Sequence, residues 1–408
     1  MTERKYPIGI QNFEKIRSED YAYVDKTAQM WKMVSEGSYY FLSRPRRFGK
    51  SLMISTLEAF FSGKRELFNG LYVDSVNWDW QEYPILHIDL NVKKYETKED
   101  LDKILNRHLE KWEQLYGSPY SDRDLEERFL HVVEYAHEKT GKQVVILVDE
   151  YDKPLLQAIG SDELQKAYRS TLKAFYGVLK SCDAHIKFAF LTGVTKFGKV
   201  SVFSDLNNLM DISLDHRYAD VCGITEKELR HNFDESILAL AEANGLTKDE
   251  CYERLRRDFD GYRFNLERPG IYNPFSVLCT LSKQRFGDYW FETGTPSFLV
   301  YQLKKTGYPL EAMTTEELST DILNSIDIMD DNPLPLLYQS GYLTLKSYDP
   351  EFDEYKLGFP NREVEEGFIK YLQPFYSPKH LDKGTFSMPR FVKDDTDVPI
   401  YIHYRAED

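Results

Sequence analysis

The sequence predicts an α/β protein built on a parallel sheet covered by helices, and three stretches predict it. Tyr39-Tyr40-Phe41-Leu42 is a short apolar run that passes through a tight loop into the helix-like run Leu52 to Phe61. Val144-Val145-Ile146-Leu147-Val148 is an unbroken aliphatic run, the pattern of a strand buried on both faces in a parallel sheet. Ile186 to Gly193 repeats the strand pattern after a helical stretch, Asp162 to Ser181.

The first stretch carries chemistry. Ser43-Arg44-Pro45-Arg46-Arg47-Phe48 runs into Gly49-Lys50-Ser51-Leu52. Strand, loop and helix in that order are the setting of a phosphate-binding P-loop. Arg46, Arg47, Phe48, Gly49, Lys50, Ser51 and Leu52 are therefore the candidate nucleotide-binding residues. Gly49 lets backbone approach an anion, Lys50 reaches β- and γ-phosphates, and Ser51 offers a hydroxyl to Mg2+. The new helix aims its N–H groups and positive dipole end at the phosphates. One position departs from G-x-x-x-x-G-K-[ST]: the first glycine is Arg44. The loop must turn there without a positive φ, or carry strain.

The second stretch ends in Asp149-Glu150-Tyr151-Asp152, at the carboxyl edge where open α/β sheets bind ligands. Asp149 suits a magnesium ligand acting through water, and Glu150 suits the group that polarises the attacking water. We expect Lys50 to meet these acids on neighbouring parallel strands. The third stretch ends in Thr192, where the γ-phosphate sensor of an additional-strand P-loop ATPase sits. After it, Lys196 and Lys199 are candidates to neutralise phosphate charge. Arg46, Arg47 and Arg217 are cation candidates of lower rank.

The remaining elements follow in order. The aromatic lead-in Tyr6-Pro7-Ile8-Gly9-Ile10 to Tyr23 offers Ile8 and Tyr23 as apolar cover for a purine. Thr27 to Val34 has helical spacing and ends at Gly37, and Gly63 caps the P-loop helix. Pro84 to Leu90 reads as a strand, and Lys98 to Tyr116 and Asp122 to Lys139 as amphipathic helices. After about residue 220 the alternation stops. Thr225 to Asn244, Thr247 to Phe259 and Phe275 to Phe286 are helical and read as a lid. Further helices follow. Leu336 to Leu345 then reads as a strand and Tyr355 to Phe359 as its hairpin partner, suggesting a winged-helix-like module. The expected division is a core at 1–220, a lid at 221–310, the module at 311–375 and a poorly packed tail at 376–408.

Composition agrees with a folded, multidomain chain: 408 residues, 42% hydrophobic and 14% aromatic. The net charge of −15 argues against a surface covered in basic residues, though not against a local basic groove. No apolar run reaches the roughly 18 residues of a membrane span, and the N-terminus lacks a signal-peptide core. The cysteines at 182, 222, 251 and 279 show no C-x-x-C spacing and read as reduced core residues of a cytoplasmic protein.

Tyr6-Pro7-Ile8-Gly9-Ile10, Tyr23-Val24-Asp25-Lys26-Thr27, the string Phe41 to Ser51, Val148 to Asp152, Leu191 to Phe197 and Asn273-Pro274-Phe275 resemble the bacterial AAA-ATPase-like family. The resemblance spans roughly residues 5–370. It implies a P-loop NTPase core, ATP rather than GTP, Mg2+, and Arg44 as the family's own variant of the first loop glycine. It also implies a PD-(D/E)XK nuclease-like domain after the ATPase part. The chain stops at Asp408, too soon for a whole domain of that kind, and Phe386 to Lys393 reads as the start of its lead-in. Asp349 with Glu354-Tyr355-Lys356 mimics the nuclease motif, but the acids are too close in sequence for two separate strands around a metal site. Nuclease activity is not expected.

The leading expectation is a Mg·ATP-binding, hydrolysing P-loop switch with catalytic roles for Glu150, Lys50, Thr192 and Lys196, and metal contacts from Ser51 and Asp149. Two rivals remain. One is a nucleic-acid-binding or protein-interaction module in which nucleotide only organises the fold. The other is an ATPase–nuclease without its effector. The partner, DNA or protein, and the oligomeric state stay open.

Overall fold

The computed structural model describes residues 5–117, 122–196, 202–204, 206–293, 297–309, 313–324 and 332–376. The expected tail beyond Tyr376, with its nuclease lead-in, and Lys199 lie outside the described residues.

Five parallel strands form the central sheet: β1 (Tyr39–Ser43), β2 (Ile85–Asp89), β3 (Val144–Asp149), β4 (Ile186–Gly193) and β5 (Met210–Asp211), in the order β2-β3-β4-β1-β5. The strand that carries the P-loop and the strand that carries the acids are thus not neighbours, correcting the sequence expectation. β4 lies between them and pairs with both. The short strand β5 also escaped the sequence reading, because two residues show no periodicity.

Strand alternation sends side chains to two faces. On one face Tyr40, Leu42, Val145, Leu147, Phe188 and Phe190 pack with Met53, Ile54, Leu57, Phe60 and Phe61 of α3 (Lys50–Phe61), the helix after the P-loop. α1 (Phe13–Ser18) and α2 (Thr27–Glu36) belong to this side. On the other, Phe41, Ile146, Val148, Ala189 and Leu191 pack against α4 (Lys98–Tyr116), α5 (Leu125–Thr140) and α7 (Asp162–Ser181). α6 (Lys153–Gln157) links β3 to α7. The same parity continues past Leu147 and Phe190, so Asp149 and Thr192 lie on the α3 face of the sheet.

The N-terminal Tyr23-Val24-Asp25-Lys26-Thr27 motif is a clasp. Asp25 accepts from Thr27 N and Tyr72 N, both at 2.8 Å. The Lys26 ammonium sits 2.7 Å from both carboxylate oxygens of Glu228, on α8 (Glu226–Ala243), and 2.8 Å from the Asp220 carbonyl. α8, α9 (Lys248–Phe259) and α10 (Pro274–Lys283) share a third core built on Phe233, Ile237, Leu240, Leu255, Phe259 and Val277. Capping boxes at Thr225/Glu228 and Thr247/Glu250 start the first two of these helices.

Then come α11 (Tyr289–Glu292), α12 (Ser297–Thr306), β6 (Glu317–Ser319), α13 (Thr320–Asn324), α14 (Leu334–Gln339), β7 (Thr344–Asp349), β8 (Glu354–Gly358) and α15 (Arg362–Tyr376). β7 and β8 form an antiparallel hairpin, and β6 pairs with β8. Leu336, Leu337 and Tyr338 are helical, not the start of a strand. Their apolar run is buried in a short helix that opens on Leu334-Pro335; a short buried run does not distinguish the two states by pattern alone. Asp349 and Glu354 face each other across the hairpin, so the nuclease-like spelling is one turn of chain. All four cysteines are buried thiols. No helix among the described residues is long and apolar enough to cross a membrane.

Candidate functional site at the carboxyl edge of the sheet

The loop between β1 and α3 solves the Arg44 problem by moving its left-handed residues downstream. Arg47 has φ +69° and Gly49 has φ +100°, whereas Arg44 lies outside that region. Arg44 instead turns its guanidinium into the core. It donates to the carbonyls of Ser43 (2.9 Å), Ser213 (2.7 Å) and Tyr218 (3.2 Å), and lies 3.9 Å over the Phe264 ring. Burial lowers its pKa to about 10. The rest of the loop is gripped from downstream. The Trp290 indole donates to the Arg46 carbonyl (3.1 Å), the Arg47 guanidinium lies 5.1 Å from the Phe275 ring, and Phe48 packs edge-on against Tyr262 (4.7 Å) and Phe264 (5.7 Å). A side chain at Gly341 would meet Pro45 at 2.6 Å.

Gly49 caps α3, so Lys50 and Ser51 occupy its first turn. The Lys50 ammonium is buried in the hollow of the loop and donates to the carbonyls of Arg44 (2.9 Å) and Pro45 (3.1 Å). Ser51 and Leu52 are partly exposed.

Across β4 lie the acids. Asp149 accepts from the Thr192 hydroxyl on Oδ1 at 2.8 Å, leaving Oδ2 without a donor among the described residues. Glu150 follows with φ +53°, a left-handed conformation that a residue with a side chain adopts at a cost of about 1–2 kcal/mol. Burial raises its pKa, and the charges of Lys50 and Lys153 oppose that rise; Lys153 Nζ is 3.7 Å away. Lys50 follows β1 and the acids end β3, so the two lie at the same carboxyl edge on either side of β4, and the charge of Lys50 opposes the rise in the pKa of Glu150 and of Asp152.

Lys196 is buried and paired with Asp211 of β5 at 2.9 Å, while its backbone N–H donates to Gln339 of α14 (2.6 Å). Arg217 is held by Asp215, with 2.6 Å between Arg217 Nη2 and Asp215 Oδ2, and is half exposed. Tyr23 lies against Phe13 (5.2 Å between rings), and Ile8 is partly exposed in the N-terminal arm. Sequence reasoning missed Asp152, Thr195, Asp211, Phe264, Trp290 and Gln339. The first two stood inside motifs already quoted. The others carry no local signal, since only the fold brings them to the edge.

The family description "Predicted AAA-ATPase" matches residues 7–203. A protein of Azotobacter chroococcum mcd 1, named as an uncharacterized protein in the vnfD 5′ region, is 40% identical over 383 residues, covering 93% of this chain and 72% of that protein. The chain belongs to the AAA-ATPase-like family. No solved structure matches it. For an AAA-ATPase-like protein, the residues 7–203 take in the P-loop, the β3 acids and Thr192, so the family match and the geometric site coincide.

Proposed function

We propose that this chain binds Mg·ATP at the carboxyl edge of its sheet and hydrolyses it as a molecular switch. One observation carries the reading: Gly49-Lys50-Ser51 and Asp149-Glu150 flank β4, whose Thr192 donates to Asp149. The strand order β2-β3-β4-β1-β5, with one strand between the loop and the acids, supports the additional-strand reading, in which β4 would be the sensor strand.

The donor set fits magnesium, which favours hard oxygen ligands: the Ser51 hydroxyl and Asp149 Oδ2, which accepts from no donor among the described residues. When bound, the ion neutralises phosphate charge. The chain's own groups do the rest. Lys50 exchanges the loop carbonyls for phosphate oxygens, and the first-turn N–H groups of α3 point at them. Glu150 orients water and accepts its proton; its raised pKa brings it closer to the range of a working base. Thr192 holds Asp149 and senses the terminal phosphate, and Lys196 adds charge on the β5 side. The division that goes with this reading is a core at 1–220, a lid at 221–310 and a terminal module at 311–375.

Steady-state ATP turnover tests this. Lys50→Ala should lose both binding and turnover, and Glu150→Gln should bind but turn over at least about a hundredfold more slowly. Equal rates in all three proteins would reject the assignment.

The helix–strand–helix–helix–hairpin order of α12 to β8, with β6 on β8, supports the winged-helix reading. In its hairpin Asp349, Glu351, Asp353 and Glu354 outnumber Lys346 and Lys356, a net negative charge that disfavours the phosphate backbone. Duplex DNA should therefore not bind with a steep salt dependence; a titration showing such binding would favour the nucleic-acid reading instead.

A further inference from the structure

Asp152 is fully buried and has no place in the reaction just described. It accepts from Val194 N (3.2 Å) on Oδ1, and from Thr195 N (2.7 Å) and the Thr195 hydroxyl (2.6 Å) on Oδ2. These groups belong to the turn that follows β4. The interlock is tight: a side chain at Gly193 would meet Asp152 Oδ1 at 2.7 Å and the Tyr151 ring at 2.6 Å. Tyr151 N also donates to the Thr192 carbonyl at 2.9 Å, and Arg44 N to the Gly193 carbonyl at 3.1 Å.

The contacts form a sequence across the site. Asp152 belongs to the turn that carries Glu150. Through Val194 and Thr195 it fixes the end of β4. That end supplies the Thr192 hydroxyl to Asp149 and the Gly193 carbonyl to Arg44, the first residue of the P-loop. One buried carboxylate therefore sets the spacing between the two halves of the edge. Burial raises its pKa, while the Thr195 hydrogen bonds and the Lys50 charge oppose the rise. A buried carboxylate is costly unless fully bonded, and here its donors come from the segment that must stay in register with the P-loop.

We infer that Asp152 is a positioning residue for the proposed phosphoryl transfer, holding Thr192 and Glu150 in register with the P-loop without touching the substrate. The inference rests on the ATPase reading. Supporting groups of this kind are worth about tenfold to a hundredfold in rate, because small misplacements of reacting groups are expensive.

The test is Asp152→Asn in the full chain. An amide accepts only on its oxygen, and its NH2 would face an N–H or hydroxyl donor. The expected result is a kcat reduced about tenfold to a hundredfold, with the dissociation constant for a fluorescent ATP analogue changed by less than about threefold. If this variant fails to fold, Thr195→Val removes one of the three donors and should lower kcat in the same direction by less. Wild-type kcat in the folded variants overturns the inference. So does a loss of binding that matches the loss of kcat, since that is what general loosening of the fold produces. If the wild-type chain binds ATP but does not turn it over, the ATPase reading fails first and takes the inference with it. That outcome differs from an active wild type with an equally active Asp152→Asn.

Discussion

The two halves of the candidate site are held in opposite ways. The P-loop is gripped from outside by residues far along the chain: Ser213, Tyr218, Tyr262, Phe264, Phe275, Trp290 and Gly341. The acid edge is held from inside by the adjacent strand β4 and the turn that follows it, with Thr192 on Asp149 and Thr195 on Asp152. The difference teaches which half reports to the rest of the molecule. The loop meets the segments after residue 220 through several side chains, whereas the acid edge reaches them chiefly through the turn after β4, where the Lys196 N–H donates to Gln339. Phosphates drawn into the loop would therefore be felt first by α10 and α11, through Phe275 and Trp290, which suits a switch.

The comparison can be broken most forcefully at Arg44. Arg44→Met keeps apolar bulk but leaves the carbonyls of Ser43, Ser213 and Tyr218 without that donor. Each buried polar group left unsatisfied costs about 1–3 kcal/mol, so the unfolding free energy should fall by about 3 kcal/mol or more, with nucleotide affinity falling too. Denaturant unfolding and a binding titration check this. A variant as stable as wild type would show that the outside grip is dispensable. Trp290→Phe is milder. It removes one indole hydrogen bond to the Arg46 carbonyl, worth about 1 kcal/mol, and should weaken nucleotide binding a few-fold with kcat little changed. A selective kcat defect would contradict the assignment of this contact to the loop half.

The smallest effect is one of pH. Glu363 on α15 is buried, accepting from Ser276 Oγ and Trp290 N, both at 2.7 Å. Burial pushes its pKa up to about 8 from an ordinary 4.5, against the pull of those two donors. The folded state therefore holds a proton that the unfolded state gives up more easily. The stabilisation is full below about 4.5 and is lost as pH rises through about 8. Glu363→Gln should flatten the fall in stability between those values, read by unfolding midpoints across pH. An unchanged slope would remove Glu363 from this role.

Legibility in the sequence followed the same divide. Strands β1, β3 and β4, the helices α3, α4, α5, α7, α8 and α9, and the residues Lys50, Asp149, Glu150 and Thr192 announce themselves locally, through aliphatic runs, helical spacing and short motifs. The order of the strands does not, because nothing in β1 or β3 states that β4 will enter between them. β5 is too short to show a pattern, and the run Leu336 to Tyr338 is equally apolar in either state. Arg44 was legible as an anomaly but not as a solution. Its three carbonyl partners and the Phe264 ring lie in segments that only folding brings together. Asp152 stood in plain view beside Glu150, but its function depends on Val194 and Thr195, whose N–H groups carry no sequence signature.

The central claim is that the P-loop and the β3 acids act on one nucleotide across β4. The most direct measurement is an experimental structure of the Glu150→Gln chain with Mg·ATP. It should place a phosphate oxygen about 3 Å from Lys50 Nζ and the metal at Ser51 with Asp149 in its ligand shell. A nucleotide bound elsewhere, or phosphates that engage Lys50 while Asp149 and residue 150 stand away from the metal and the terminal phosphate, would contradict it.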